Sequence, residues 1–249
     1  MLHLRLSPTW TLLSVAALAL SGCATAPDAA KTGTASPLSD TDRYVQAVER
    51  SAVYEEANVR PLRPLTYPMA ALTLTNNPSW AVGQEGKTVT LTNSYGTWVT
   101  VEPEVKEICK TYKAGEVIQK LHYLLGLQPA VPSDSNAKFV RISIAPQSVG
   151  PTGNGVFRPC PDPDPTKTAC ANTINGPQAF VSWFANQQVF SYRKGPDLKQ
   201  TGYPWTRLGY TYNWDPQASD IRGAQEYIVP GGTKVTVVEI VSPQEYCAR

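Results

Sequence analysis

Apolar and polar residues follow two different periods along this chain, and the predicted elements change where the period changes. Trp10 to Leu20 (WTLLSVAALAL) is almost unbroken apolar sequence. Ala24 to Leu38 is small, polar and poor in apolar side chains; it has too little surface to bury to offset the entropy of ordering it, so it reads as a flexible tether. Ser39, Asp40 and Thr41 then offer side-chain oxygens for a helix N-cap. Tyr44, Val45, Val48, Ala52 and Val53 recur at helical spacing, with Arg43, Glu49, Arg50 and Glu55 on the other side. The pattern predicts a helix running to about Glu56, with Pro61, Pro64 and Pro68 keeping the following stretch extended.

From Ala70 the period becomes two. Leu72-Thr73-Leu74-Thr75, Thr88 to Thr92 and Thr97 to Val101 alternate and are rich in β-branched residues, with Asn76-Asn77-Pro78 and Asn93-Ser94-Tyr95-Gly96 as turns. These three predict an antiparallel meander. Glu102-Pro103-Glu104 opens a short helix, with acids at its positive end. A second helix, Glu116 to Leu125, puts Val117, Ile118, Leu121, Leu124 and Leu125 on one face and stops at Gly126. Lys138 to Ile144 reads as a strand, and Val149 to Gln178 as a long irregular loop. Thr206 to Trp214, Gln225 to Val229 and Thr233 to Val241 read as strands, the last two joined by a hairpin at Gly231-Gly232. The expected class is α+β and β-rich: one domain over 39–249, an antiparallel sheet carrying two or three helices.

The amino terminus fixes a compartment. Arg5 is the one charge before the apolar run, which is shorter than the about 20 residues a membrane-spanning helix needs, so residues 1–22 read as a removable export signal. Leu20-Ser21-Gly22-Cys23 resembles the lipobox of bacterial lipoproteins, small residues before an obligatory cysteine. The resemblance covers this segment alone and implies lipid on Cys23, whose thiolate would accept the diacylglycerol; several acyl chains anchor stably where one does not. Ala24 stands where an Asp would favour inner-membrane retention, which points to the outer membrane, with the domain facing the periplasm or the cell surface. Removing 22 residues leaves 227 and, with Arg5 gone, takes the net charge from +2 to +1. That balance gives no footprint for nucleic acid.

With Cys23 assigned to lipid, Cys109, Cys160, Cys170 and Cys247 form an even set in an oxidising compartment. Three pairings are possible. The Pro-rich step between Cys160 and Cys170 favours that pair, leaving Cys109 with Cys247 to tie a mid-chain helix to the carboxyl terminus. No C-x-x-C step or histidine pair supports a metal-site reading.

Candidate chemistry is sparse, and no cofactor is implied. His122 is the one histidine after signal removal, expected at a surface or boundary; alone it cannot build a multi-histidine zinc site, and no G-x-S-x-G elbow accompanies it. Asp162 and Asp164 alternate with prolines and could begin a calcium loop, but Lys167 and Thr173 break the EF-hand pattern, so a rigid, disulfide-pinned surface loop is expected. Asp215, Glu226, Glu239 and Glu245 could pair as in glycoside hydrolysis, though nothing brings any two together. The densest local composition is Gly202 to Trp214 (GYPWTRLGYTYNW). As a strand, it puts Leu208, Tyr210, Tyr212 and Trp214 on one face and Trp205 and Arg207 on the other. Tyr203, Trp205, Arg207, Tyr210, Tyr212 and Trp214 therefore form the candidate binding surface, unless they are simply core.

Three functions remain open from sequence: a non-catalytic envelope lipoprotein that binds or scaffolds another envelope component, a module that binds glycan or peptidoglycan through the aromatic strand, and a hydrolase with an unrecognised carboxylate site. The expected partners are the membrane, through Cys23, and an envelope protein or glycan. The anchor is directly testable. Cys23→Ala is expected to abolish acyl labelling and release the protein from membranes; a variant that stays labelled and detergent-dependent would contradict it.

Overall fold

The computed structural model describes residues 37–146 and 155–248. The expected signal 1–22, Cys23 and nearly all of the expected 23–38 tether lie outside the described residues, as does the start of the 149–178 loop. No helix among the described residues is long and apolar enough to cross a membrane.

The described residues hold seven strands in one antiparallel sheet: β1 (Met69–Thr75), β2 (Thr88–Thr90), β3 (Thr97–Val101), β4 (Lys138–Ile144), β5 (Tyr210–Tyr212), β6 (Arg222–Val229) and β7 (Lys234–Val241). Their spatial order is β2-β7-β4-β1-β3-β6-β5. Five α-helices accompany it: α1 (Asp40–Ser51), α2 (Glu104–Cys109), α3 (Val117–Leu124), α4 (Gln178–Tyr192) and α5 (Pro243–Ala248). The class is as expected; α4 and α5 exceed the expected helix count.

Two connectivity expectations fail. β1 pairs with β3 directly, through Ala71↔Val101 and Leu72↔Thr100, while β2 pairs with β7 at the far edge, so there is no meander. The turn at Gly231 and Gly232 exists, but β6 and β7 are not neighbours, so it closes no hairpin. The four residues 230–233 instead join strands four positions apart. Five Cα steps reach at most about 18 Å, whereas crossing a flat sheet over four spacings takes about 19 Å. The link is tighter still, because the Thr233 N–H donates to Pro230 O (3.3 Å), so the sheet rolls until its strand ends approach. The β2–β3 link crosses beside this one: Leu91 donates its N–H to Thr233 O (2.9 Å), and Gly232 donates to Leu91 O (2.7 Å).

Rolling gives the sheet two apolar faces. The inner one gathers Met69, Ala71, Val99, Val140, Ile142, Ile144, Tyr227, Val229, Val235 and Val237, with Leu91 of the crossing link among them. On the opposite face Leu72, Phe139, Ala224 and Val241 meet Val105, Val117, Leu121, Leu124 and Tyr246 from α2, α3 and α5. Strand alternation supplies both sets. A register shift opposite Arg141 and Ile142 marks a bulge in β7.

The disulfides join Cys109 to Cys247 and Cys160 to Cys170, the expected pairing. The first clamps α2 to α5 over the outer face. α1 is shorter than predicted. Ser39 caps it, accepting from the Asp42 N–H (3.2 Å), and Tyr44, Ala47, Val48 and Ser51 form its buried stripe. It ends at Ser51, where the Arg207 guanidinium donates to Ala52 O (2.8 Å) at the negative end of the helix.

α4 was not visible in the residue pattern. QAFVSWFANQQVFSY has apolar residues on all sides and no charge, so no stripe stands out. Phe180 and Phe184 are buried, against Phe157, Trp205 and Ile228, while Val189 and Phe190 face outward.

The bridges differ in the loop they close, 138 residues for Cys109–Cys247 and 10 for Cys160–Cys170. Chain-entropy scaling assigns them about 5 and about 3 kcal/mol. Denaturant unfolding of Cys109→Ala/Cys247→Ala and Cys160→Ala/Cys170→Ala should rank them in that order; the reverse ranking would contradict the assignment.

Candidate functional site

The aromatic segment turns inward instead of forming an open platform. Only Tyr210–Tyr212 is strand, because Arg207 (φ 58°) and Gly209 (φ 79°) take left-handed backbone and break the alternation. Gly209 has no alternative: a Cβ there would lie 2.8 Å from both Arg158 Cδ and Leu62 Cδ1.

The side chains divide among three clusters. Trp205 is buried beneath α4, its ring 5.0 Å from Phe184 and 6.1 Å from Trp183, and its indole N–H donates to Pro159 O (3.1 Å). Leu208 and Tyr210 pack on Leu62 and the Cys160–Cys170 bridge, and the Tyr210 hydroxyl donates to Asn58 O. Tyr212 and Trp214 join Tyr44 and Val48 of α1 and Tyr123 of α3, with Trp214 4.3 Å from Tyr123 and donating to Leu127 O (3.0 Å). Trp205, Tyr210, Tyr212 and Trp214 are thus interior. Arg207 caps α1 and lies over the Tyr192 ring (5.4 Å). Tyr203 alone is substantially exposed, at 49%.

A concavity among the described residues touches this segment. A cavity of about 310 Å³ lies between the end of α1, the 53–58 turn and the aromatic segment. Tyr54, Leu208, Tyr212 and Ile221 supply its apolar wall; Arg50, Glu55, Asn58 and Thr206 supply polar groups. Asn58 donates to Glu55 Oε2 (2.9 Å), and Thr206 is held by Tyr210 O (2.6 Å) and the Leu208 N–H (3.0 Å). Burial raises the Tyr212 phenol; Arg50 opposes this and the Glu55 charge adds to it. The sequence pattern assigns Arg50 and Glu55 only to the polar side of a helix. That the chain turns at Ser51 and brings Tyr54 and Asn58 against Leu208 and Tyr212 depends on tertiary packing.

The other candidates have structural partners. His122 is buried, contrary to expectation: Nδ1 lies 2.6 Å from Gln128 O and Nε2 lies 3.7 Å from Asp134 Oδ2. Burial alone would raise the Asp134 pKa, but the Val131 N–H, the Asn76 amide and His122 outweigh it and hold the carboxyl low. Asp162 and Asp164 are engaged by their own loop, Asp162 by the Asp164 N–H (3.1 Å) and Asp164 by the N–H and hydroxyl of Thr166 (2.9 and 2.7 Å). Among the described residues no group of three or more metal-ligating side chains occurs.

The expectation of a surface loop holds for only part of it: residues 166–169 are exposed, but residues 155–161 are buried. The reason is Arg158, fully enclosed, which donates to Arg63 O (3.1 Å), Pro165 O (3.2 Å), the Tyr227 hydroxyl (2.6 Å) and Lys167 O. The loop wraps its own guanidinium, with carbonyls taking the place of a carboxylate.

Asp215 pairs with Lys120 (2.7 Å), and Glu239 shares Arg141 with Glu102. Glu226 differs: it is 6% exposed on β6, and its Oε1 has no hydrogen-bond partner. Burial pushes its pKa up to about 8.

Comparison with family models, with curated proteins and with solved structures returns no match.

Glu226 generates a pH prediction. Between its usual value near 4.5 and about 8 the folded chain holds a proton that the unfolded chain has lost. Stability should therefore fall as pH rises through that window, by up to about 1.4 kcal/mol per unit. Glu226→Gln should remove most of the slope in urea melts at pH 5, 6.5 and 8. An equally steep slope in the variant would assign the effect elsewhere.

Proposed function

We propose that this chain is a lipid-anchored domain of the bacterial envelope, at the outer membrane, that holds another envelope component without converting it. The Leu20-Ser21-Gly22-Cys23 motif after an apolar run supports the anchor. The cavity between the end of α1 and the aromatic segment carries the binding reading. About 310 Å³ is at the small end of ligand sites and suits one sugar ring or a short side chain rather than a large cofactor.

The lining favours a glycan unit. Tyr54 offers ring surface for a sugar face beside the mostly buried Tyr212 of the same wall, and Arg50, Glu55 and Asn58 offer donors and acceptors for hydroxyl and amide groups. This keeps the sugar-binding reading of the aromatic segment but moves it to the residues that border open space. Trp205 and Trp214 act as supports, and their substitution should affect folding before binding.

The test uses soluble peptidoglycan fragments, disaccharide with and without stem peptide, titrated into the protein by NMR or calorimetry. Tyr54→Ala and Glu55→Ala should each weaken binding about tenfold or more, a loss of about 1.4 kcal/mol. Glu55 is exposed, so its variant should keep the parent's melting curve. Unchanged affinity in both variants, or no response to any fragment, would overturn the reading.

A further inference from the structure

We infer that the outward face of α4, together with Tyr203, seats on the anionic lipid surface that holds Cys23. The inference rests on the lipid anchor proposed above. Val189, Phe190 and Tyr203 are 72%, 53% and 49% exposed. They are neighbours, because the Tyr203 N–H donates to Ser191 O (2.7 Å) and the Gly202 N–H to Arg193 O (2.9 Å). α4 carries no charge over its 15 residues, and exposed apolar side chains on such a helix are a liability in water unless something covers them.

Three observations favour lipid as the cover. The chain beside the patch is basic: Arg193, Lys194 and Lys199 are exposed there against Asp197 and Glu49, of which Glu49 pairs with Lys194 (2.7 Å), and the Arg193 guanidinium lies over the Phe190 ring (5.9 Å). Aromatic rings flanked by Lys and Arg are the composition of a membrane-interface contact, each cation being attracted to anionic headgroups. The nearby acids have partners of their own, Asp40 with Arg43 and the Tyr123 hydroxyl, Asp42 with the Ser39 hydroxyl, and Asp197 with the Gln200 N–H.

The third observation is where the tether arrives. Fourteen residues separate Cys23 from Leu38. Fully extended, that length of chain would reach at most about 50 Å. Leu38 leads directly into α1, and the Tyr44 hydroxyl, about one turn into that helix, donates to Gly202 O (2.9 Å), next to Tyr203. The chain that leads back to Cys23 thus enters the domain at the corner that displays the patch.

The experiment places a nitroxide at Val189→Cys, and a reference at Tyr95→Cys in the β2–β3 link, in the full lipidated protein on vesicles with and without phosphatidylglycerol. Collision with oxygen and with a water-soluble nickel chelate reports depth. At 189 oxygen should dominate on anionic vesicles and the nickel chelate after Phe190→Asp/Arg193→Glu, while the reference stays in water throughout. A water-exposed label at 189 on a protein still held by its lipid would overturn the seating and leave the anchor standing. A label shielded only when envelope extract is added would also overturn it, assigning the face to a protein. A chain that never associates with vesicles or the membrane fraction would remove both.

Discussion

The link of residues 230–233 is too short to cross a flat sheet, and much of the architecture follows from that. β6 and β7 can be joined only if the sheet rolls until β3, β1 and β4 lie along an arc between them. Rolling creates an enclosed inner face, which the alternating Val, Ile and Ala residues of five strands fill, and a second face on which α2, α3 and α5 lie. It also moves β2 away from β1. The link before β3 crosses beside the 230–233 link, and the two share hydrogen bonds through Leu91. The Cys109–Cys247 bridge then fixes the outer helices across a long loop.

At the β5 edge the same sheet leaves room that side chains fill without regular structure. Arg158 gathers the carbonyls of its own loop and of the Arg63 segment around one guanidinium, and Gly209 allows β5 to pass close above it. Trp205 and Trp214 anchor this edge to α4 and to α1 with α3. The cavity is what remains open where α1 stops early, capped by Arg207. The segment read as a binding surface therefore contributes mostly by shaping the site, with Thr206, Leu208 and Tyr212 its members in the lining.

Local signals were legible wherever local physics decides. β4 matches its predicted span, Ser39 caps α1, Gly126 (φ 66°) follows α3, and the ten-residue Pro-rich step did predict a disulfide. Strand order was not legible, because period two fixes which side chains share a face but not which strands pair. α4 was hidden because a helix packed on one side and apolar on the other has no stripe. His122, and Arg158 within the loop expected at the surface, are interior because backbone carbonyls far along the chain, or brought close by a turn, satisfy polar groups that look solvated in sequence. The cavity was illegible for the same reason, being made by residues about 150 positions apart.

These parts combine into one account: a domain closed by two disulfides, with an aromatic interior supporting a small polar cavity, which we propose is exported and tied by lipid. Its central physical claim is that Trp205 and Trp214 are interior supports and not a surface. Exchange of their indole N–H groups with deuterium, followed by NMR, tests this most directly. The hydrogen bonds to Pro159 O and Leu127 O require both indole protons to persist far longer than a solvated indole and to be released only as the domain opens. Exchange of either proton at the rate of free tryptophan, in a protein with its native melting curve, would contradict the account and restore an exposed platform.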